Sequence, residues 1–372
     1  MDAVVAFINR PDIKAFLIML VGLAVVILVV VLSKRTYNTT KSIAQQIKDA
    51  KTVLAQYDTT YGKRDSLETL LSTLVPDTCQ TANFYVATAS NCAMFGPAVG
   101  GTISADYIVS YLRAGARCLD MAIFPENPTN PAATPIVCEG DHTTRTRTTA
   151  NYITFDEACS TIARYGLEHN GMTIDGLKNG DDPLFLHLRI RAGQNINMLT
   201  SIAATLKKYF DEYRLPYTYY KCGRQGQIYA TNLKDFTGKI VIMTDTPMAG
   251  TAVDEYVNIT FAPSRGAINA LEQTEWTVAD MTALDAPGVD HVRAASKQRL
   301  MYAAAGDSVA RDLGIHFVGV DYSGMKPEKM FSKFSFAQKP AALRYVLPVI
   351  TQPVAPGPAF DAKGGIIAVQ GL

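Results

Sequence analysis

The sequence carries almost no net charge. Its 372 residues include 35 lysines and arginines against 34 aspartates and glutamates, which gives a formal net charge of +1 at pH 7. Proteins that bind nucleic acids usually carry a marked basic excess. The balance therefore argues against a nucleic-acid partner.

Motifs for metal and nucleotide binding are also missing. No two of the six cysteines have the CxxC spacing of a metal site. In a domain of this length we expect buried thiols rather than a disulfide framework. No glycine-rich phosphate loop follows the first β-rich run, FYVATA at residues 84–89, which disfavours a nucleotide-binding sheet.

One long apolar run is present, at residues 15–32, with basic residues on both sides. A helix of 18 apolar residues nearly spans the hydrocarbon core of a bilayer. A signal-peptide core is the alternative, but the run is long for one and no small-x-small cleavage site follows. We expect a short N-terminal segment at 1–14 and a single transmembrane helix at 15–33, with a lipid membrane as its partner. Basic residues are more numerous after the span, which favours a large domain on the cytosolic or cytosol-derived side.

Residues 34–78 have apolar positions spaced by three and four residues, which predicts amphipathic helices with a break near Tyr61 and Gly62. We interpret this segment as a stalk that either pairs with another helix or packs against its own domain. The tail at 351–372 is rich in proline and glycine and ends in an apolar segment. A partner protein would bind the stalk or this tail.

Between them, at residues 79–350, short β-rich runs alternate with helical stretches. This alternation predicts parallel strands and an α/β architecture. A TIM-type (β/α)8 barrel fits the length, and a doubly wound sheet is the alternative. The β-rich runs are FYVATA, ARCLDMAIF, TPIVCE, PLFLHLRI, GKIVIMTD and GIHFVGVDY.

Eight segments in this domain resemble, in the same order, the X and Y regions of eukaryotic phosphoinositide-specific phospholipase C. They are GARCLDMAIF, PIVCEGDH, ITFDEACSTIARYGL, DPLFLHLRI, TNLKDFTGKIVIMTD, SKQRL, GIHFVGVDYSGMKPEKM and FSFAQKPAALRYVLP. The resemblance runs from about residue 82 to 348. It implies a TIM-type barrel with a calcium-dependent phosphodiesterase site at the strand ends.

The resemblance also implies that much of that site has changed. Asn91 and Asp120 stand at calcium-binding positions. Ser90 and Glu139 stand where the family has its two catalytic histidines, and Ala122 replaces a second carboxylate. Among the positions that follow, Arg189 replaces a further carboxylate, while Met243 and Asp245 replace two phosphate-binding lysines.

These replacements predict a protein without the activity of the family. Serine cannot replace imidazole as a proton shuttle near pH 7. Asn91 and Asp120 are too few ligands for calcium, which takes six to eight oxygens, and Arg189 would repel the ion. We therefore expect no cofactor, with calcium only if the vestigial site at Asn91 and Asp120 is retained. We expect a membrane-anchored, catalytically inactive protein with a structural role, such as linking the inner membrane of a virion to its capsid.

Two other functions stay open. The first is a metal-independent phosphodiester hydrolase or lyase acting on a phospholipid or glycerophosphodiester, with His187, Arg189, Glu139 and Asp120 as candidate catalytic residues and His142 as a second histidine. Strand alternation places His187 and Arg189 on one face. The competing interpretation is a hydrogen-bonded core histidine and an arginine paired with Asp120 or Glu139. The second function is a lipid head-group binding module without turnover.

Overall fold

The computed structural model describes residues 11, 19–31, 43–61, 64–130, 132, 134–167, 179–193, 195–216, 219, 225–261, 275–276, 285–297, 300–303, 308–320, 331 and 333–345.

Eight parallel strands form the central sheet of this part of the chain. Their spatial order is β5-β4-β3-β2-β1-β8-β7-β6, and each neighbouring pair is parallel. Strands that follow each other in the chain are neighbours from β1 to β5 and from β6 to β8, and β8 pairs with β1, as in a barrel and not as in a doubly wound sheet. The strands are β1 (Phe84–Ala89), β2 (Cys118–Pro125), β3 (Leu184–Ile190), β4 (Ile240–Thr244), β5 (Ile259–Thr260), β6 (Glu275–Trp276), β7 (Tyr302–Ala303) and β8 (Phe317–Val320).

The sheet is strongly curved. β5 and β7 are six strands apart in this order, so they would lie about 29 Å apart in a flat sheet with about 4.8 Å between strands. The ring of Phe261, directly after β5, nevertheless lies 6.0 Å from the ring of Tyr302 in β7, centroid to centroid. The strands therefore form a curled, parallel-strand half-barrel.

The two faces of the sheet bury different side chains because residues alternate along each strand. The inner face carries an apolar cluster that includes Phe185, Met243 and Phe317. The outer face carries Leu119, Met121, Leu186 and other aliphatic side chains, which pack against the helices.

Helices cover the outer face of β1 to β4. Side chains of Ser104, Thr154 and Asn195 accept hydrogen bonds from backbone N–H groups in the first turns of α3, α4 and α5, and such caps contribute about 1 kcal/mol each. After a helix at residues 19–31, the helices are α1 (Ile43–Tyr61), α2 (Leu67–Leu71), α3 (Ala105–Arg113), α4 (Phe155–Gly166), α5 (Ile196–Phe210), α6 (Gln225–Ala230), α7 (Ala286–Ser296) and α8 (Ser308–Asp312).

One predicted parallel strand is wrong. Pro135–Val137 pairs antiparallel with β2. Only residues 126–134 separate the two strands, which is too short for the crossover that a parallel pair needs. Antiparallel pairs also join Met94–Phe95 to Thr102–Ile103, Gly140–Asp141 to Thr146–Arg147, Ile153–Thr154 to Pro135–Val137, and Phe336–Gln338 to β1.

The predicted membrane span is described only in part. Residues 19–31 are helical and their apolar side chains are exposed, whereas residues 15–18, 32 and 33 lie outside the described residues. Within the described ranges, no helix has both the length and the apolar character needed to cross a bilayer. The tail at 351–372 also lies outside the described residues.

The stalk helix packs against the domain. α1 ends at Tyr61, at the predicted break. Ala50 and Leu54 are 1% exposed and join the cluster beneath α3, and Lys51 forms an ion pair with Asp106 of α3 at 2.5 Å. Of the two interpretations of the stalk, packing against its own domain is the one observed for these residues.

Ionisable groups are buried where the strands begin. Asp182, just before β3, accepts a hydrogen bond from the N–H of Leu67 at 2.6 Å. Burial raises the pKa of Asp182 to about 6, although the nearby Arg117 acts to lower it. This carboxyl group is therefore buried at a cost when it is ionised.

A second buried group contains Lys339. The N–H of Met301 donates to Nδ1 of His316 at 3.2 Å, so the proton of a neutral ring lies on Nε2. Nε2 lies 3.0 Å from the oxygen of Ala82 and 2.7 Å from Nζ of Lys339. A neutral amine at Nζ can accept a hydrogen bond at this contact, whereas an ammonium group cannot. Burial lowers the pKa of Lys339 well below its ordinary value, which agrees with this geometry.

Candidate active site

Asp120, the third residue of β2, meets His187 and Arg189 of β3 just beyond the carboxyl end of β1, where Leu119 lies opposite Ala89. Asp120 is opposite His187 in the strand register, and Ala122 is opposite Arg189. Because His187 and Arg189 are two residues apart, both side chains point to the same side, and both contact Asp120 Oδ1. The carboxyl ends of parallel strands are where α/β barrels place their catalytic groups.

Arg189 lies at the centre of the site. Its Nε is 3.0 Å from Oδ1 of Asp120, and one terminal nitrogen is 2.9 Å from Oε1 of Glu139. The other terminal nitrogen donates to Oδ1 of Asn91. One guanidinium group thus bonds to three side chains from three segments of the chain. Its side chain is 13% exposed.

Two connections bring Asn91 and Glu139 to this point. Asn91 follows β1 in a left-handed conformation with φ of 48°, which asparagine tolerates better than most residues, and its N–H donates to Oδ2 of Asp120 at 3.2 Å. Glu139 follows the short antiparallel strand Pro135–Val137. Ser90, beside Asn91, is half-buried.

The charge on Asp120 is stabilised by its neighbours. Burial alone would raise the pKa of this carboxyl group, but the guanidinium of Arg189 and the hydrogen bonds from His187 and the Asn91 N–H hold it far below its ordinary value. Burial would likewise lower the pKa of Arg189, whereas Asp120 and Glu139 raise it well above the usual range. Both groups therefore stay charged across the physiological pH range.

His187 lies beneath the ion pair and is fully buried. Because ionised Asp120 only accepts hydrogen bonds, Nδ1 of His187 carries the proton and donates at 2.9 Å. The ring packs against Tyr302 at 4.4 Å and Phe261 at 5.5 Å, centroid to centroid. Its Nε2 has no hydrogen-bond partner among the described residues.

A second charged group, missed by the sequence analysis, lies beside the first. Arg191 forms an ion pair with Asp245 at 2.6 Å, and its Nε donates to Nδ1 of the exposed His142 at 2.6 Å. Burial and the charge of Arg191 lower the pKa of His142. The sequence pattern could have indicated Arg191 in part, because it lies two residues after Arg189 and so continues the row of side chains that begins with His187.

Calcium does not fit these side chains. The oxygens of Asp120, Glu139 and Asn91 already bond to a guanidinium group, which carries a positive charge where the ion would need to lie. Ala122, which by resemblance stands where the family has a second carboxylate, offers no oxygen from its side chain. Among the described residues, no cluster of three or more His, Cys, Asp or Glu side chains could hold a metal ion.

Met243, which by resemblance replaces a phosphate-binding lysine, is also apolar. Met243 lies opposite His187 in the register of β3 and β4 and is fully buried in the inner cluster. A cavity of about 840 Å³ lies elsewhere, between α7, α8 and the strand Phe336–Gln338. Its lining includes Tyr85, Arg293 and Lys297 and none of the candidate site residues.

Comparison with known proteins agrees with this fold. Residues 79–246 match the family model of the phosphatidylinositol-specific phospholipase C X domain. The crystal structure of PLC21 from L. pealei superposes with a TM-score of 0.54 and a sequence identity of 14%. The superposition covers 73% of this chain and 39% of the PLC21 chain. The corresponding values for PLC21 from S. officinalis are 0.54, 13%, 73% and 38%. This chain thus spans about two fifths of those proteins, and at such identity the likeness shows the fold alone. No curated protein sequence matches the chain.

Proposed function

This chain carries a phospholipase C-like domain, and we propose that the domain is a catalytically inactive barrel, anchored in a membrane, with a structural or interaction role. The observation that carries the proposal is the position of Arg189. Its guanidinium bonds at once to Asp120, Glu139 and Asn91. A cation that belongs to the protein itself thus takes the place of a metal ion.

The groups for proton transfer are also unsuitable. By resemblance, Ser90 and Glu139 stand at the positions of the two catalytic histidines. A serine hydroxyl is too weak an acid and too weak a base to act as a proton shuttle near pH 7, and loss of general acid-base catalysis costs roughly 10²- to 10⁴-fold in rate. Glu139 is bonded to Arg189, and His187 is fully buried beneath it. None of these three side chains is placed to activate a hydroxyl group of a substrate.

The membrane part of the proposal rests on the apolar segment at 15–33. The exposed aliphatic side chains of the helix at 19–31 support it, because such a surface is unfavourable in water. The excess of basic residues after residue 33 favours the cytosolic side, or a side derived from it, for the domain. We also infer that the half-barrel closes as an eight-strand barrel, because Phe261 and Tyr302 contact each other from strands six apart.

An anchored barrel without catalysis fits a role in joining a membrane to another protein. Such a role would suit the inner membrane and capsid of a virion. The tail at 351–372 and the exposed face of α1 are the segments through which we propose that a partner binds.

The test is turnover by the full chain in detergent or in vesicles. Phosphatidylinositol, its bisphosphate and a lysophospholipid would each be supplied, with calcium and with a chelator, and release of the phosphorylated head group would be measured. We expect no release above that of vesicles alone. Turnover that disappears in His187→Ala or Arg189→Ala, but not in the surface control Lys208→Ala, would refute the proposal.

One observation favours a second function, metal-independent cleavage of a phosphodiester. His142 is exposed, and its Nδ1 accepts from Arg191, whose guanidinium could also bind a phosphate group. Turnover in the presence of chelator that is lost in His142→Ala and kept in His187→Ala would support this function. Binding of phosphatidylinositol vesicles without turnover would instead support a head-group binding module.

A further inference from the structure

We propose that the cavity between α7, α8 and the strand Phe336–Gln338 binds a small organic anion, a phosphate or a carboxylate attached to an apolar group. Arg293 and Lys297 bind the charged group, and the wall at Tyr85 and Leu343 contacts the apolar group. The cavity lies apart from the candidate active site, so its ligand does not depend on the proposed function.

The cavity lies at the other end of the sheet from the candidate active site. Tyr85, which lines it, is the second residue of β1, and Phe84 beside it pairs with Gln338. The cavity therefore borders the amino end of β1, whereas the candidate site lies beyond the carboxyl end of that strand. Its volume of about 840 Å³ falls within the range of about 300–1,000 Å³ that is typical of small-molecule sites.

Two basic side chains at the end of α7 line the cavity together. Arg293 lies in the last turn of the helix, and Lys297 directly follows it. Like charges four residues apart on a helix repel each other, and an anion between them would relieve this repulsion. Arg311 of α8 also lines the cavity. The lining thus carries three basic side chains from two helices.

Basic residues near the carboxyl end of a helix often bind its last carbonyl groups instead. At α8 other groups do so, because the carbonyl oxygen of Arg311 accepts from Tyr85 Oη at 2.6 Å and from the N–H of Gly314 at 2.9 Å. Within the described part of the chain, Nζ of Lys297 forms no hydrogen bond or ion pair. Its charge is therefore not used in capping either helix there.

Arg293 is oriented by one hydrogen bond and keeps its terminal nitrogens for a ligand. Its Nε donates to the carbonyl oxygen of Asp312 at 2.9 Å, which ties the end of α7 to the end of α8. One terminal nitrogen lies 3.8 Å from Oδ1 of Asp290, whose side chain is 81% exposed, and exposed pairs of this kind are weak. A guanidinium group oriented through Nε can bind a phosphate or a carboxylate through its two terminal nitrogens.

The rest of the lining is largely apolar. Burial, and to a lesser degree the carboxylate of Asp312, raises the pKa of Tyr85 to about 12, so its hydroxyl group stays protonated and does not repel an anion. An anion with an apolar group fits this lining better than an inorganic ion does. The side chains of this wall are Tyr85, Ala337, Pro340, Ala342 and Leu343.

Isothermal titration calorimetry of the full chain in a non-ionic detergent tests the site. Phenyl phosphate and benzoate each join an anion to an apolar ring, whereas inorganic phosphate and phenol supply only one of these parts. We expect saturable binding of phenyl phosphate or benzoate at a single site, and binding of inorganic phosphate and phenol that is several-fold weaker. The tighter of the two ring-bearing anions identifies the charged group that the site prefers.

Variants separate the cavity from general attraction to positive charge. Lys297→Gln should weaken the binding by about tenfold, because a hydrogen bond to a charged group contributes about that factor, and Arg293→Gln/Lys297→Gln should weaken it further. Ala342→Phe fills the cavity without changing the charge and should also weaken the binding. The matched control is Arg164→Gln/Lys208→Gln, which removes the same charge from α4 and α5 and should bind as the native chain does.

Three results would overturn the proposal. The first is that neither phenyl phosphate nor benzoate binds saturably. The second is an equal loss of binding in the two double variants, which would show attraction to net charge alone. The third is binding that is kept in Lys297→Gln and lost in Arg191→Ala, which would place the anion at the candidate active site. Should the double variant at α7 fail to fold, as circular dichroism would show, Lys297→Gln and Ala342→Phe decide the outcome.

Discussion

Replacing Arg189 with alanine should destabilise the domain and create a weak calcium site. The variant leaves Asp120 and Glu139 close together without the cation that now joins them. Removing one partner of a buried ion pair typically costs about 3–5 kcal/mol. The side chains of Asp120 and Glu139 are 2% and 10% exposed, so water cannot replace the lost charge fully.

Calcium should recover part of this loss, in the variant only. The carboxylates of Asp120 and Glu139 and the amide oxygen of Asn91 are released when the guanidinium is absent, and all are calcium ligands by chemistry. For a dissociation constant of about 1 mM, 10 mM calcium would stabilise the folded state by about 1.4 kcal/mol. The native chain should gain nothing, because its Arg189 excludes the ion.

Urea unfolding with and without 10 mM calcium measures both effects. Lys208→Ala is a control, because Lys208 pairs with Asp156 where both side chains are more than half exposed and such pairs contribute less than about 1 kcal/mol. Calcium should leave the midpoint of this control unchanged. The reasoning is refuted if Arg189→Ala is as stable as the native chain, or if calcium stabilises both equally.

Three further predictions concern stability. Because burial raises the folded-state pKa of Asp182 to about 6, its protonated carboxyl group stabilises the folded state below pH 3.8, and this stabilisation is lost as pH rises through about 6. The free energy of unfolding of Asp182→Asn, relative to that of the native chain, should therefore increase by about 3 kcal/mol between pH 4 and 7. A difference that stays constant across that range would contradict this. Burial lowers the pKa of Lys339 in the folded state, so the free energy of unfolding should rise with pH from that lowered pKa towards about 10.4, the pKa of an unperturbed lysine. Denaturation of Lys339→Met from pH 7 to 10 should lack that rise. An unchanged slope in this variant would show that the folded lysine is charged. Thr154→Ala removes the cap of α4 and should cost about 1 kcal/mol in thermal unfolding, whereas Thr154→Ser should cost little; equal losses in both variants would exclude the cap as the cause.

The sequence predicts the sheet well where strands are long and buried. β1 to β4 and β8 coincide with apolar runs that the alternation of strands and helices makes visible. β5, β6 and β7 have two residues each and carry too short a pattern to be recognised. Pro135–Val137 has the composition of a buried strand, so only its distance from β2 indicates that the pair is antiparallel.

The candidate site was predictable only in part. The pairing of Arg189 with Asp120 or Glu139 was one of two interpretations, and the structure shows both contacts. The third partner, Asn91, depends on the left-handed turn after β1. The pair of Arg191 and Asp245 depends on the register of two strands about 50 residues apart in sequence, which no local pattern encodes. A catalytic role for any of these residues stays a prediction.

A crystal structure of the full chain grown with calcium tests the central claim most directly. The account predicts that the guanidinium of Arg189 stays bonded to Asp120, Glu139 and Asn91, with no ion between them. A calcium ion about 2.3–2.6 Å from the oxygens of Asp120 and Glu139, with Arg189 displaced from the site, would contradict it.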